Sequence, residues 1–349
     1  MTISSMKTGV ISSRVLVGNT AYANTNYVLI TSQGTPYIQV YPWSSGFGTK
    51  VTNPSTLPTA NTIMATFSPN GFVVSAIQGA SPQIISWAFS SAGFGSKYSD
   101  PATLPTGTGY SISFNPAGTA VATTAEIAQP NTFVYPWNNS TGYGTKYSNP
   151  STATFATASY DLRWSPDGNT VGVAGYNTPF IMAYNWSSAG WGTKYSDPAS
   201  LPAGIAEGVA WSPDGATIVS SGATTPFINA YPWAGGFGTK YTNPATSPGS
   251  ESPQGKFNPA GNVFLQPSTV TPFAHAYPWS SGWGTKYSNP ASLPSSYSWS
   301  AAWKPDGTVA AFADRSNGTA FYPWSAGFGT KYSQPATTPG TTAQGVSFI

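Results

Sequence analysis

The phrase YPWSSGFGTKVTNPSTLP runs from Tyr41 to Pro58, and a near copy, YPWSSGWGTKYSNPASLP, runs from Tyr277 to Pro294. Laid against itself, the 349-residue chain holds seven copies, and no other feature so restricts what it can fold into. The Trp of the phrase stands at Trp43, Trp137, Trp186, Trp233, Trp279 and Trp324, with Phe89 in the same slot of the second copy. Successive gaps are 46, 48, 49, 47, 46 and 45 residues. A period in the mid-forties suits a propeller blade or a pair of helices, so the local pattern has to decide.

In the fifth copy that pattern is β. Four strand-like runs, 207–212, 217–221, 227–233 and 237–241, are separated by Pro-Asp-Gly, Ala-Thr-Thr-Pro and Ala-Gly-Gly, with Asn-Pro after the last. Each separator is a turn with a mechanism: Pro fixes φ, Gly reaches positive φ, and Asn or Asp bonds to its own backbone. Pro232 closes the third run, as expected of a residue that cannot donate to a ladder. Four antiparallel strands repeated seven times predict an all-β fold, a seven-bladed β-propeller over residues 27–349. The aromatic before each Ser/Asn/Lys-Pro-x-Gly (Phe67, Phe114, Trp164, Trp211, Phe257, Trp303) is expected on the innermost strand, packed on the next blade. One blade of about 46 residues buries too little surface to fold alone, so the core belongs to the ring.

The first copy lacks that inner aromatic, since Ala21 falls in the Trp211 slot. Phe348, however, stands nine residues after Pro339, as Trp211 stands nine after Pro202. Residues 345–349 therefore read as the missing inner strand of blade one, pairing with 27–34 and closing the ring without an exposed edge. The competing parse gives that place to VLVGNTAYAN. Residues 1–26 lie outside the repeat and read as an attachment arm.

The inner-strand phrases WSPDG (Trp164 to Gly168, Trp211 to Gly215) and WKPDG (Trp303 to Gly307) resemble the inner-strand signature of WD-repeat and related bacterial propellers. The Trp-Asp dipeptide and the Gly-His of that family are absent, so its structural hydrogen-bond network does not carry over. The tandem phrase itself resembles repeat proteins encoded by tailed bacteriophages. That resemblance implies a virion component.

Chemistry is sparse in the chain. Charged residues make up 7 % of it and aromatics 15 %, which gives a polar, weakly charged surface without the composition of a disordered chain. There is no Cys, hence no disulfide framework and no thiolate metal site, and neither a metal nor a cofactor is expected. No secretory leader or apolar run long enough to span a membrane is apparent, so a cytoplasmic origin without membrane insertion is expected. Of 13 basic residues seven are the single Lys of each repeat, spread evenly, so the stripe that nucleic-acid binding needs is missing.

His275 is the only histidine, at a strand position where other copies carry Gln39, Met182 and Asn229, and it reads as a solvated or hydrogen-bonded side chain. Turns explain Asp100, Asp167, Asp197, Asp214 and Asp306, leaving Glu126, Asp161, Glu207, Glu251 and Asp314. Asp161 and Arg163 share one face of an inner strand, as a solvated pair or as a polar spot at the channel mouth.

The copies disagree most four residues before the inner aromatic, where they read Ile63, Tyr110, Tyr160, Glu207, Pro253, Trp299 and Gln344. If this is specialisation, the face of the disc at these strand starts is a partner site carried by Tyr110, Tyr160, Asp161, Arg163, Glu207 and Trp299, with the aromatics as anchors. The invariant aromatics, with Trp164, Trp211, Trp303 and Phe348 on inner strands, read as core. Asn138, Asn139, Asn185 and Asn317 open Asn-x-Ser/Thr tripeptides that carry no weight without a leader.

The expectation drawn from these features is a non-enzymatic structural or adhesive protein, a phage virion part whose partners are other virion proteins, a host surface component or glycans. The first alternative is a carbohydrate-binding, lectin-like propeller. A lactonase-like hydrolase is the second.

Overall fold

Each copy of the repeat folds into one antiparallel sheet, because its short runs, rich in apolar and β-branched residues, are buried between neighbouring blades and its turns carry Gly where the backbone needs it. The computed structural model describes residues 26–316, 318–339 and 342–349. Seven sheets stand around a central channel in a seven-bladed β-propeller. Their innermost strands are Thr62–Phe67, Thr108–Phe114, Ser159–Trp164, Ala206–Trp211, Lys256–Phe257, Ser298–Trp303 and Ala343–Phe348. In the Pro-x-Gly turn that follows, Gly168, Gly215 and Gly307 sit at φ of 76°, 72° and 75°, where a side chain would be strained.

The ring closes as the repeat count requires. Ala343–Phe348 pairs antiparallel with Tyr27–Ser32, setting Val28 opposite Phe348 and Ile30 opposite Val346, and so supplies blade one with its inner strand. The same strand packs against Thr62–Phe67 on one side and Ser298–Trp303 on the other. The observed strand begins two residues earlier than the sequence indicates, and Phe348 is half-buried, not fully buried. Asn26, placed in the arm by sequence, belongs to this blade: its N–H donates to the Ile349 carbonyl at 2.7 Å. The rest of the proposed arm, and VLVGNTAYAN within it, lies outside the described residues.

The repeated phrase is the fastening between blades. Within each blade the inner aromatic meets the Trp-slot ring edge-on, as in Trp211 and Trp233 at 5.1 Å or Trp164 and Trp186 at 5.7 Å. Phe348 and Trp43 form the seventh such pair, at 5.6 Å. In six copies a Tyr follows the repeat Lys, crosses to the next blade and packs on its Trp, as Tyr195 does on Trp233 at 4.9 Å and Tyr332 on Trp43 at 5.1 Å, while Val51 takes that place beside Phe89. Such pairs contribute roughly 0.5–1.5 kcal/mol each beyond area burial.

The first Tyr of the phrase is fully buried, and in five blades it donates its hydroxyl backwards to the preceding blade, while Trp87 does the same through its indole N–H in blade two. Tyr135 reaches the Thr103 carbonyl at 2.7 Å, Tyr231 that of Ser200 at 2.9 Å and Tyr322 that of Ser292 at 2.8 Å. In six copies the repeat Lys clasps the Asn or Asp three residues on, as Lys146 clasps Asn149 at 2.7 Å, while Lys331 donates to the Leu293 carbonyl at 3.1 Å. A ring whose blades are fastened by one phrase has to spell that phrase in every blade.

Four full strands per blade are realised only in blades two, three and four. In blades one, five, six and seven the outer strand shrinks to one bridge, as between Trp43 and Phe47 or Trp233 and Phe237. Loop length decides this. Three residues separate the paired aromatics in those blades, whereas blades two and four insert an Ala and blade three two further residues. The longer loop leaves room for the extra rung seen between Ser90 and Gly93.

Candidate active site

The seven residues at the variable position all line one cavity, at the end of the channel where the inner strands begin. The backbone explains why. In six blades the ladder between the first two strands slips at this point, between Gly109 and Ser111 around Tyr110, Ser159 and Asp161 around Tyr160, and Ala206 and Gly208 around Glu207. The same slip occurs around Ile63, at Trp299 with Ser300, and in the pairing of Ala343–Phe348. An unpaired extra residue turns its side chain out of the pleat, here towards the axis. Blade six breaks differently. Pro253 cannot donate to a ladder, its inner strand shortens to Lys256–Phe257, and Gln254 bonds across to blade seven, its N–H donating to the Trp299 carbonyl at 3.3 Å. That departure carries Glu251 into the cavity wall.

The cavity measures about 470 Å³. Tyr110 and Tyr160 form one wall, edge to face at 5.0 Å, and the Tyr110 hydroxyl donates to Glu126 at 2.7 Å. Burial, with the charges of Glu126 and Glu207 behind it, holds the Tyr160 phenol up at about 12. Trp299 and Arg315 form another wall, the guanidinium lying 5.6 Å from the Trp299 ring and 5.0 Å from that of Tyr297. Arg315 makes no side-chain hydrogen bond or ion pair among the described residues, and its buried Nε–H has no acceptor. Stacking holds the guanidinium while leaving its donors free.

Between these walls the Glu207 and Glu251 carboxyl groups meet. Burial first, then the hydrogen bond and charge of Glu251, push the Glu207 carboxyl up to about 9. The Glu207 Oε2 finds no donor among the described residues. Two facing carboxylates cannot both ionise at short range, so Glu207 keeps the proton and its carboxyl O–H hydrogen-bonds to Glu251. At neutral pH the cavity thus contains a carboxylic acid, a carboxylate beside it and a guanidinium with open donors.

Tyr110, Tyr160, Glu207 and Trp299, singled out from sequence, are brought together here. Asp161 and Arg163 are not. Asp161 is fully buried instead of solvated, accepting from Ser111 at 2.5 Å and from the Val209 N–H at 3.1 Å, and so it ties blades three, four and five. Arg163 pairs with it at 3.0 Å and lines a second cavity farther along the channel. His275 is neither solvated nor hydrogen-bonded: both ring nitrogens are buried without a partner among the described residues, and burial pushes the imidazole down to about 3. Sequence reasoning left Glu251 without a role and passed over Arg315. Comparing the copies at the residue after the second strand, where Gln33 and Arg315 both line the cavity, carries the signal that finds it.

No protein-family model and no curated protein matches this sequence. Solved structures do match, over nearly the whole chain. A Bacteroides fragilis protein with the provisional name 6-phosphogluconolactonase is 13 % identical, with a TM-score of 0.67 over 95 % of this chain and all of its own. The periplasmic gluconolactonase of Pseudomonas aeruginosa is also 13 % identical, with a TM-score of 0.67 over 93 % of this chain and 98 % of its own. A Lactobacillus plantarum protein reaches a TM-score of 0.72 at 11 % identity, over 93 % of this chain and all of that one. At such identities the likeness speaks for the fold.

The expectation of a non-enzymatic virion part is corrected by these comparisons: propellers of this architecture that match end to end carry the names of lactone-hydrolysing enzymes. The repeated phrase has a role in the fold, since its aromatic positions pack between neighbouring blades. Among the described residues no helix is long and apolar enough to cross a membrane.

Proposed function

We propose that the chain is a hydrolase of the lactonase type, opening the cyclic ester of a sugar-derived lactone in the channel cavity. The observation that carries this reading is the Glu207–Glu251 pair, one acid and one base at the same pH, sharing a cavity with an unpaired Arg315. The names of the structural neighbours support it. The walls suit a sugar ring, whose C–H faces stack on Tyr and Trp.

The chemistry balances on these side chains. Glu251 accepts a proton from water as the water oxygen bonds to the lactone carbonyl carbon. The carbonyl oxygen takes the negative charge and faces the Arg315 donors, which stabilise it as it forms. When the ring C–O bond breaks, Glu207 gives its proton to the departing oxygen, and the product is an open hydroxy acid. Proton transfer from Glu251 to Glu207 across their shared hydrogen bond restores the pair. None of the three steps asks for a cofactor.

The test is hydrolysis of glucono-δ-lactone by the purified full chain, corrected for the spontaneous reaction. Glu251→Gln is expected to lower kcat by about 10²–10⁴, the usual loss with a general base. Arg315→Met is expected to lower it with little change in KM. Binding of the lactone without turnover, or equal turnover by wild type and Glu251→Gln, overturns the hydrolase reading.

A further inference from the structure

Farther along the channel lies a second cavity of about 290 Å³, sharing only Met64 and Gln254 with the first. Two cations line it, Arg163 and Lys256, and no carboxylate does. The Asp161 carboxylate, the nearest counter-charge, is already engaged by Ser111, Leu162, Val209 and Arg163. Arg163 spends its two amino groups on the Ile112 carbonyl at 3.1 Å, Gln254 at 3.3 Å and Asp161, but its buried Nε–H has no acceptor among the described residues. The Lys256 ammonium has no hydrogen-bond or ion-pair partner among the described residues. One positive charge therefore stands uncompensated in a narrow channel, an arrangement that costs free energy until a counter-charge arrives.

We infer that this part of the channel is a binding site for a small oxyanion of the sulfate, phosphate or carboxylate class, held by the Lys256 ammonium and the Arg163 Nε–H. Its size suits such an ion with a partial water shell, and the wall includes the Ser300 hydroxyl. Burial first, then the Arg163 charge, pull the empty-site Lys256 amine down to about 7, while Asp161 opposes this. An anion reverses that balance, so binding above neutrality takes up a proton. The inference does not depend on lactone hydrolysis.

Sulfate, which does not titrate in this range, is the probe. Calorimetry on the full chain at pH 8, in buffers of different ionisation heat, is expected to show binding with uptake on the order of one proton per ion. Lys256→Met is expected to weaken binding about tenfold or more and abolish the uptake. That variant keeps its fold, as judged by a melting temperature at neutral pH no lower than wild type, because it removes a buried charge. Sulfate binding unchanged by saturating gluconate marks a site for a free ion; competition marks the seat of an acid group on a molecule bound above. Absence of sulfate binding at pH 6.5, or equal affinity in Lys256→Met, overturns the inference.

Discussion

Glu207 binds its proton more tightly in the folded chain than in the unfolded one, since burial and the facing Glu251 oppose its ionisation. The raised value fixes the sign of a pH effect. Its favourable contribution is whole below the ordinary carboxylate range and is lost as pH rises through about 9. Glu207→Gln keeps the donor but cannot ionise, so it is expected to melt above wild type at pH 8 and close to it at pH 4. Thermal unfolding at the two values checks this, and a gap that widens towards acid contradicts it.

Tyrosine hydroxyls offer a second contrast. Tyr231 donates to the Ser200 carbonyl, whereas the buried Tyr277 hydroxyl at the same repeat position has no partner among the described residues. Tyr231→Phe is expected to cost about 0.5–1.5 kcal/mol. Tyr277→Phe should be neutral or stabilising. Urea unfolding of both variants decides, and equal losses would remove the interblade role given to this hydroxyl.

At the scale of the strand, much was legible in the chain. Pro-Asp-Gly turns, Tyr-Pro-Trp phrases and the nine-residue spacing from Pro339 to Phe348 suffice for seven blades and their closure. The outer strands were less legible, because one residue in the loop after the Trp decides between a strand and a single bridge. The site was half legible. Its first residues showed as the positions where the copies differ, but the ladder slips that aim them at the axis belong to the ring and leave no mark in one copy. Glu251 was hidden for a related reason: it reaches the cavity because Pro253 breaks a strand, and its partner Glu207 belongs to another blade. Counting acids and bases one by one therefore missed a pair made only by the fold. Deleting residues 345–349 removes the Phe348 contact with Trp43 and most of the closing ladder. The truncated chain is expected to melt lower and to aggregate through its open edge, and an unchanged, monomeric protein contradicts the closure argument.

For the whole molecule, closure turns seven similar sheets into one channel with two chemically different parts. Inner-strand starts and the segments beside them place the carboxyl pair, the aromatics and Arg315 at one end, while Arg163 and Lys256 lie farther in. Repetition builds the wall, and departures from repetition build the site. The most direct test of the central claim is the pH dependence of catalysed glucono-δ-lactone hydrolysis, corrected for the spontaneous rate at each pH. Activity is predicted to hold through neutrality and to fall with a midpoint near 9 as Glu207 loses its proton, with Glu207→Gln low and without that midpoint. A catalysed rate that is nil, or that shows the same alkaline midpoint in Glu207→Gln, contradicts it.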